Sequence, residues 1–148
     1  MSTEEKQDFP TYRDSEAIEY PADEKKASGL IRQCYKSNIP IELIGSGSKL
    51  KIGKRIQSAK TISLSKLSGI IEYLPEELYI KVRACTPINE IEEALKKNKQ
   101  QLAFEPIDFG YLFSGKSNYG TAAGQVSCNI SGPRRFKSGS IRDHVLGF

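Results

Sequence analysis

The chain has 148 residues, 38% hydrophobic and 27% charged, and its 22 Lys and Arg against 18 Asp and Glu give a net charge of +4. That is the size of one domain with enough apolar side chains for a core, and no apolar run approaches the roughly 20 residues of a membrane helix. Met1 to Lys6 is polar and acidic, which argues against a secretory signal.

Cysteines stand far apart at 34, 85 and 128, odd in number and without a CxxC pair. They form no disulfide framework, and a reducing, cytoplasmic setting is the simplest one. A single histidine, His144, without Cys/His clustering argues against a metal site. The basic residues concentrate between Arg134 and Arg142 with only Phe136 among them. That is a solvated loop rather than the aromatic-interleaved face of a nucleic-acid binder, so no nucleic-acid partner is expected.

Residues 1–16 read as a flexible polar tail and 17–148 as the folded domain. Pro21 is expected to open a helix, with Asp23 and Glu24 at its positive end. Ala27, Leu30, Ile31, Cys34 and Tyr35 follow at helical spacing as a buried stripe, and Asn38 ends it. Pro40 to Ile44 reads as a short strand running into Gly45-Ser-Gly-Ser-Lys49.

Thr61 to Leu64 alternates as a strand. Ile70 to Tyr73 and Tyr79 to Arg83 flank Leu74 to Leu78 as a hairpin-like pair. Thr86 is the expected N-cap of a second helix, with Pro87 its first residue and Ile88, Ile91 and Leu95 its buried face. Leu102 to Phe104 reads as a short strand, and from Glu105 onward the chain reads mostly as loop. The class is α+β, with helices packed on a mixed sheet.

Two glycine-rich segments carry the functional signal. One is Gly45 to Lys49. The other runs from Tyr119 to Gly147 and contains Gly120, Gly124, Gly132, Gly139 and Gly147 with Arg134, Arg135, Lys137 and Arg142. Glycine lets main chain approach a bulky ligand, and N–H and cationic donors beside it suit an anion. A dinucleotide-binding Rossmann fingerprint fails, because Leu50 stands where its third glycine belongs. A P-loop fails at Ser48 and Arg55. What remains is a strand feeding a loop whose successive N–H groups can form an anion nest, with Ser46 and Ser48 hydroxyls beside them. Lys49 either pairs with a phosphate or faces water.

The strand with GSGSK is followed by LSKLSGIIEYLPEELYIKV, TPINEIEEAL, LAFEP and GTAAGQVSCNISGPRRFKSGSIRDHVLG. In this order the motifs resemble the FAD-binding subunits of bacterial glycolate oxidases, of the vanillyl-alcohol oxidase/p-cresol methylhydroxylase class, over nearly all of the chain from Pro21. The resemblance implies an FAD-binding half-domain of the p-cresol methylhydroxylase type, incomplete at its C-terminus. Gly45, Ser46, Gly47 and Ser48 would form the pyrophosphate loop, with Lys49 as a further cofactor-binding candidate beside it. Gly120, Thr121, Ala123, Gly124 and Asn129 would form a second loop near flavin and diphosphate.

It implies an FAD-dependent 2-hydroxy-acid (glycolate-type) oxidoreductase acting within a complex. Electrons would leave through other subunits, including an iron–sulfur subunit. Without a histidine near the first loop, FAD would be held non-covalently, and no catalytic residue is assigned within the chain. The alternative is a noncatalytic nucleotide-binding or assembly module of the same fold. The class usually carries glycine where Ala123 and Cys85 stand, which bears on FAD affinity. It also continues beyond Phe148, and Val145 to Phe148 reads as the start of a strand. Arg142 with Asp143 is expected to be a structural ion pair, and His144 a structural residue.

Overall fold

The computed structural model describes residues 18–53, 57–115, 117 and 120–148. The expected tail, 1–16, lies outside them, as do Arg55 and Tyr119.

The first strand, β1 (Ile18–Glu19), leads into helix α1 (Glu24–Lys36). The helix begins after Pro21: Asp23 is the N-cap, and its carboxylate accepts from the Lys26 N–H at 2.7 Å. The aspartate wins because its side chain satisfies an otherwise orphaned N–H, which proline's ring cannot do. Asn38, in the left-handed region at φ 51°, turns the chain out of the helix as expected. Ala27 and Cys34 are buried, but Tyr35 is 82% exposed, so the buried stripe is narrower than its spacing suggests.

Strands β2 (Ile41–Ile44) and β3 (Lys60–Ser63) pair in parallel, and β1 pairs in parallel with the other side of β3, giving the order β1-β3-β2. The central position of β3 explains why Thr61, Ile62 and Ser63 are all buried, whichever face they occupy. Lys60 pairs with Glu19 across the sheet. Strands β4 (Ile70–Leu74) and β5 (Tyr79–Val82) form a separate antiparallel pair closed by a 3-10 turn, Pro75–Glu77. Leu78 leaves that turn at φ 56°. Parallel and antiparallel pairing thus coexist in two sheets, with a helix packed on the antiparallel pair, an α+β arrangement.

Helix α2 (Ile88–Lys97) buries Ile88, Ile91 and Leu95 against Tyr73, Ile80 and Val82 of the hairpin and against Leu102 and Ala122. Its N-cap is Pro87, not the expected Thr86. Fully buried, Thr86 accepts from the Gly69 N–H at 3.0 Å and donates to the Arg83 carbonyl at 2.8 Å. A tertiary tie between two loops has taken the hydroxyl that a cap would have used.

Leu102 to Phe104 is not a strand; the only ladder contact nearby is a bridge between Pro106 and Ser131 among the described residues. The region after Glu105 is also more helical than its glycines suggest. It contains α3 (Gly110–Ser114), α4 (Ala122–Cys128), α5 (Arg135–Ser138) and a 3-10 turn, Ile141–His144. Residues 145–148 form no strand, and Leu146 and Phe148 are exposed.

Candidate functional site

Because β2 and β3 run in parallel, the segments that follow them emerge at the same sheet edge. Gly45 to Lys49 leaves β2 there, and Leu64 to Gly69 leaves β3. The carboxyl ends of parallel strands are where such sheets place their ligands.

Gly47 takes φ 74°, where a side chain is strained, and Leu50 N–H closes the turn on the Gly47 carbonyl at 3.2 Å. Among the described residues, nothing accepts from the N–H groups of Ser46, Gly47 and Ser48. Three consecutive unpaired donors fit an anion.

The second glycine segment is carried to the first by the start of α2. Ile88 N–H donates to the Gly120 carbonyl at 3.1 Å, Ala122 N–H to Thr86 at 2.9 Å and Ala123 N–H to Ala84 at 2.9 Å. Thr121 bridges to Pro87 and caps α4, its hydroxyl accepting from the Gly124 N–H at 3.3 Å. The two segments then touch. A Cβ on Gly45 would lie 2.8 Å from Thr121 Oγ1, and one on Gly120 would lie 2.5 Å from Ser48 Oγ and 3.2 Å from Lys49 Nζ. Glycine at 45 and 120 is therefore a condition of their meeting.

Between them opens a cavity of about 440 Å³. Ser46, Gly120 and Thr121 line it from the two glycine segments. Ser65 and Ser68 line it from the end of β3, Cys85, Pro87 and Asn89 from the start of α2, and Ser117 from beside the second segment. Of the last six, Ser65, Ser68, Asn89 and Ser117 were not singled out in the sequence, whereas Pro87 was read as a helix start and Cys85 as a departure bearing on FAD affinity. For Ser65 and Ser68 the usable signal was their position just past a parallel strand. The Ser117 hydroxyl is committed to Asp108 at 2.6 Å.

Lys49 supplies the cation. It is partly buried, its Nζ lies 5.8 Å from the centre of the Phe109 ring, and no carboxylate pairs with it among the described residues. Burial pushes its ammonium below the ordinary lysine value, opposed by the charge of Cys128. An anion in the crevice would restore what burial removes.

Other expected site residues stand further off. Ala123 and Gly124 lie in the first turn of α4. Asn129 is at its far end, at φ 46°, and its side-chain carbonyl accepts from the Arg142 N–H at 3.3 Å. Cys85 is not among the residues with positive φ, so its side chain carries no backbone strain of that kind.

The basic cluster is largely structural. Arg134 Nε meets Glu105 Oε1 at 2.7 Å, and its N–H donates to Oε2 at 3.0 Å. Gly132 is needed there, since a Cβ would fall 2.6 Å from the same carboxylate. The Arg134 N–H bond is the main reason Glu105 is held below the usual carboxylate range. Asp143 accepts from Ser140 N–H and Oγ, both at 2.8 Å, which lowers its carboxyl, and it faces Arg142 at 3.8 Å. His144 Nε2 lies 2.8 Å from the Ser138 carbonyl. Among the described residues no Cys, His, Asp and Glu cluster fits a metal ion, and no helix is long and apolar enough to cross a membrane.

The chain is 37% identical over 117 residues to the glycolate oxidase subunit GlcE of Escherichia coli (strain K12), covering 79% of this chain and 31% of that subunit. It is 29% identical over 122 residues to a D-lactate dehydrogenase of Anaerostipes hadrus, covering 82% of this chain and 24% of that enzyme. The chain thus spans about a third or less of these curated relatives. Two crystal forms of alkyldihydroxyacetonephosphate synthase share its fold, with TM-scores of 0.62 and 0.61 at 19% and 20% identity; each covers 85% of this chain, and the matched part is 23% and 24% of theirs. The family described as "FAD binding domain" matches residues 15–148, and the chain belongs to that family.

Proposed function

We propose that the crevice between Gly45–Lys49 and Gly120–Thr121 holds the diphosphate of a non-covalently bound FAD, and that the chain serves as the FAD-binding part of a 2-hydroxy-acid oxidoreductase of the glycolate type. The reading is carried by one observation: among the described residues, three consecutive main-chain donors without acceptors and a half-buried lysine without a carboxylate partner lie at the junction of two glycine segments, beside a cavity that Ser46, Gly120 and Thr121 line. The donor chemistry fits the group. Ser46, Gly47 and Ser48 N–H groups would donate to diphosphate oxygens, Lys49 would balance their charge, and the Thr121 hydroxyl would add a donor from the other wall. Gly120, Ala123 and Gly124 let α4 begin close to the ligand, and Asn129 fixes the far end of that helix through Arg142.

When bound, the flavin supplies the hydride-accepting chemistry. The residues described here bind and orient, and none is placed to abstract a proton. Support for the substrate class comes from the two relatives, one named a glycolate oxidase subunit and the other a D-lactate dehydrogenase. Because the chain spans so little of them, turnover would need further domains or subunits. An iron–sulfur subunit would receive the electrons, and a cytoplasmic site suits three free cysteines. Non-covalent attachment suits a chain whose one histidine is engaged with Ser138.

Calorimetric titration with FAD, ADP-ribose and riboflavin tests this. FAD and ADP-ribose, which carry the diphosphate, should bind and compete, while riboflavin should bind far more weakly. Riboflavin binding as well as FAD, or no binding of any of them, would overturn the assignment.

A further inference from the structure

Cys85 sits where the two glycine segments meet, and its backbone is pinned on both sides. Its own N–H donates to the Leu67 carbonyl at 2.8 Å, while the flanking carbonyls of Ala84 and Thr86 accept the N–H groups of Ala123 and Ala122 that start α4. The side chain is held in the crevice as a result. Its Sγ lies 3.5 Å from where a Cβ on Gly45 would be, and it lines the cavity although only 5% exposed.

A second, independent feature points to a ligand at the same place. Thr121 is 6% exposed and lines the cavity. Its oxygen accepts from Gly124 N–H, but among the described residues its hydroxyl proton has no acceptor. A buried donor of this kind costs free energy until something accepts from it.

We propose that the Cys85 side chain is a positioning residue: it packs at the Gly45–Thr121 contact, sets the fit of the nucleotide diphosphate in the adjoining cavity, and is covered by the nucleotide when it binds. The inference rests on the FAD reading above. A smaller residue at 85 leaves a gap that the pinned backbone cannot close, and a larger one drives Gly45 and Thr121 apart. Burial holds the thiol protonated, so it reacts slowly, but the cavity leaves it reachable in a way that Cys34, 2% exposed in the core, is not.

The test is alkylation of the full chain with N-ethylmaleimide, followed cysteine by cysteine by peptide mass spectrometry, with and without FAD. With FAD at ten times its Kd, labelling of Cys85 should slow about tenfold, while exposed Cys128 should label at an unchanged rate. Protein alkylated at Cys85 beforehand should no longer take up FAD, and Cys85→Leu should bind it at least about tenfold more weakly with its thermal melt still cooperative. FAD binding that leaves Cys85 labelling unchanged would overturn this inference alone. Wild-type protein that binds no FAD would overturn the parent reading and this one with it. Should Cys85→Leu fail to fold, the labelling rates decide the matter by themselves.

Discussion

Gly120 illustrates how one residue decides whether two segments can meet. At φ 80°, with Ser48 Oγ 2.5 Å from where its Cβ would be, it tolerates no side chain. Gly120→Val should abolish FAD binding, as should Gly47→Val, where φ is 74° and Leu50 lies 3.1 Å from the added carbon; flavin retained after gel filtration measures both. Lys49→Met should weaken FAD by roughly tenfold to a hundredfold, the worth of about 1.5–3 kcal/mol for a bond to a charged group. A bound diphosphate raises the Lys49 pKa from its depressed value. On the proposed role, FAD affinity should be full while Lys49 is protonated and should fall as the pH rises through the free lysine's pKa, below 10.5; titrations across the alkaline range check the sign. Clustering drew attention to Gly45, Gly47 and Gly120 but did not separate them from Gly147, which has nothing within 4 Å of an added Cβ. Cys85 was legible only as a departure from the class's usual glycine; its place beside Gly45 and the cavity arises only when the loops close around it.

At the scale of elements, the strongly periodic segments declared themselves. Ile88, Ile91 and Leu95 recur at helical spacing and are buried as expected, since a stripe of that kind has one place to go. Leu95→Ala should cost about 2–5 kcal/mol, read as a shift in denaturant midpoint. Helix starts were less legible, because capping is contested. Thr86 was drawn off by Gly69 and Arg83, and its replacement by valine should cost about 1–3 kcal/mol by leaving the Gly69 N–H buried without its acceptor.

Short helices α4 and α5 were hidden by their glycines and serines, whose helical geometry depends on contacts with Ala84, Thr86 and Glu105. The Glu105 and Asp143 carboxyls that help hold this region have depressed pKa values. Their contribution is present above the ordinary carboxylate pKa and is lost as the pH falls through their folded values. Thermal stability should therefore drop in mild acid, and Glu105→Gln should flatten that drop.

Across the molecule, the proposed site depends on the parallel pairing of β2 with β3 and on the hydrogen bonds that lash α4 to the start of α2. The first brings the Gly45 and Ser65 segments to one edge; the second swings Gly120 and Thr121 over them. Neither was written in a local motif, since strand order and a contact across 76 residues (Gly45 to Thr121) arise only on folding. The order of motifs along the whole chain carried what their spacing did not. The most direct test is phosphorus NMR of FAD titrated with the wild-type chain and with Gly47→Val. Both diphosphate resonances should shift or broaden with the wild type and stay at their free positions with the variant. Unmoved resonances in the presence of bound flavin, or equal shifts with Gly47→Val, would show that the diphosphate lies elsewhere.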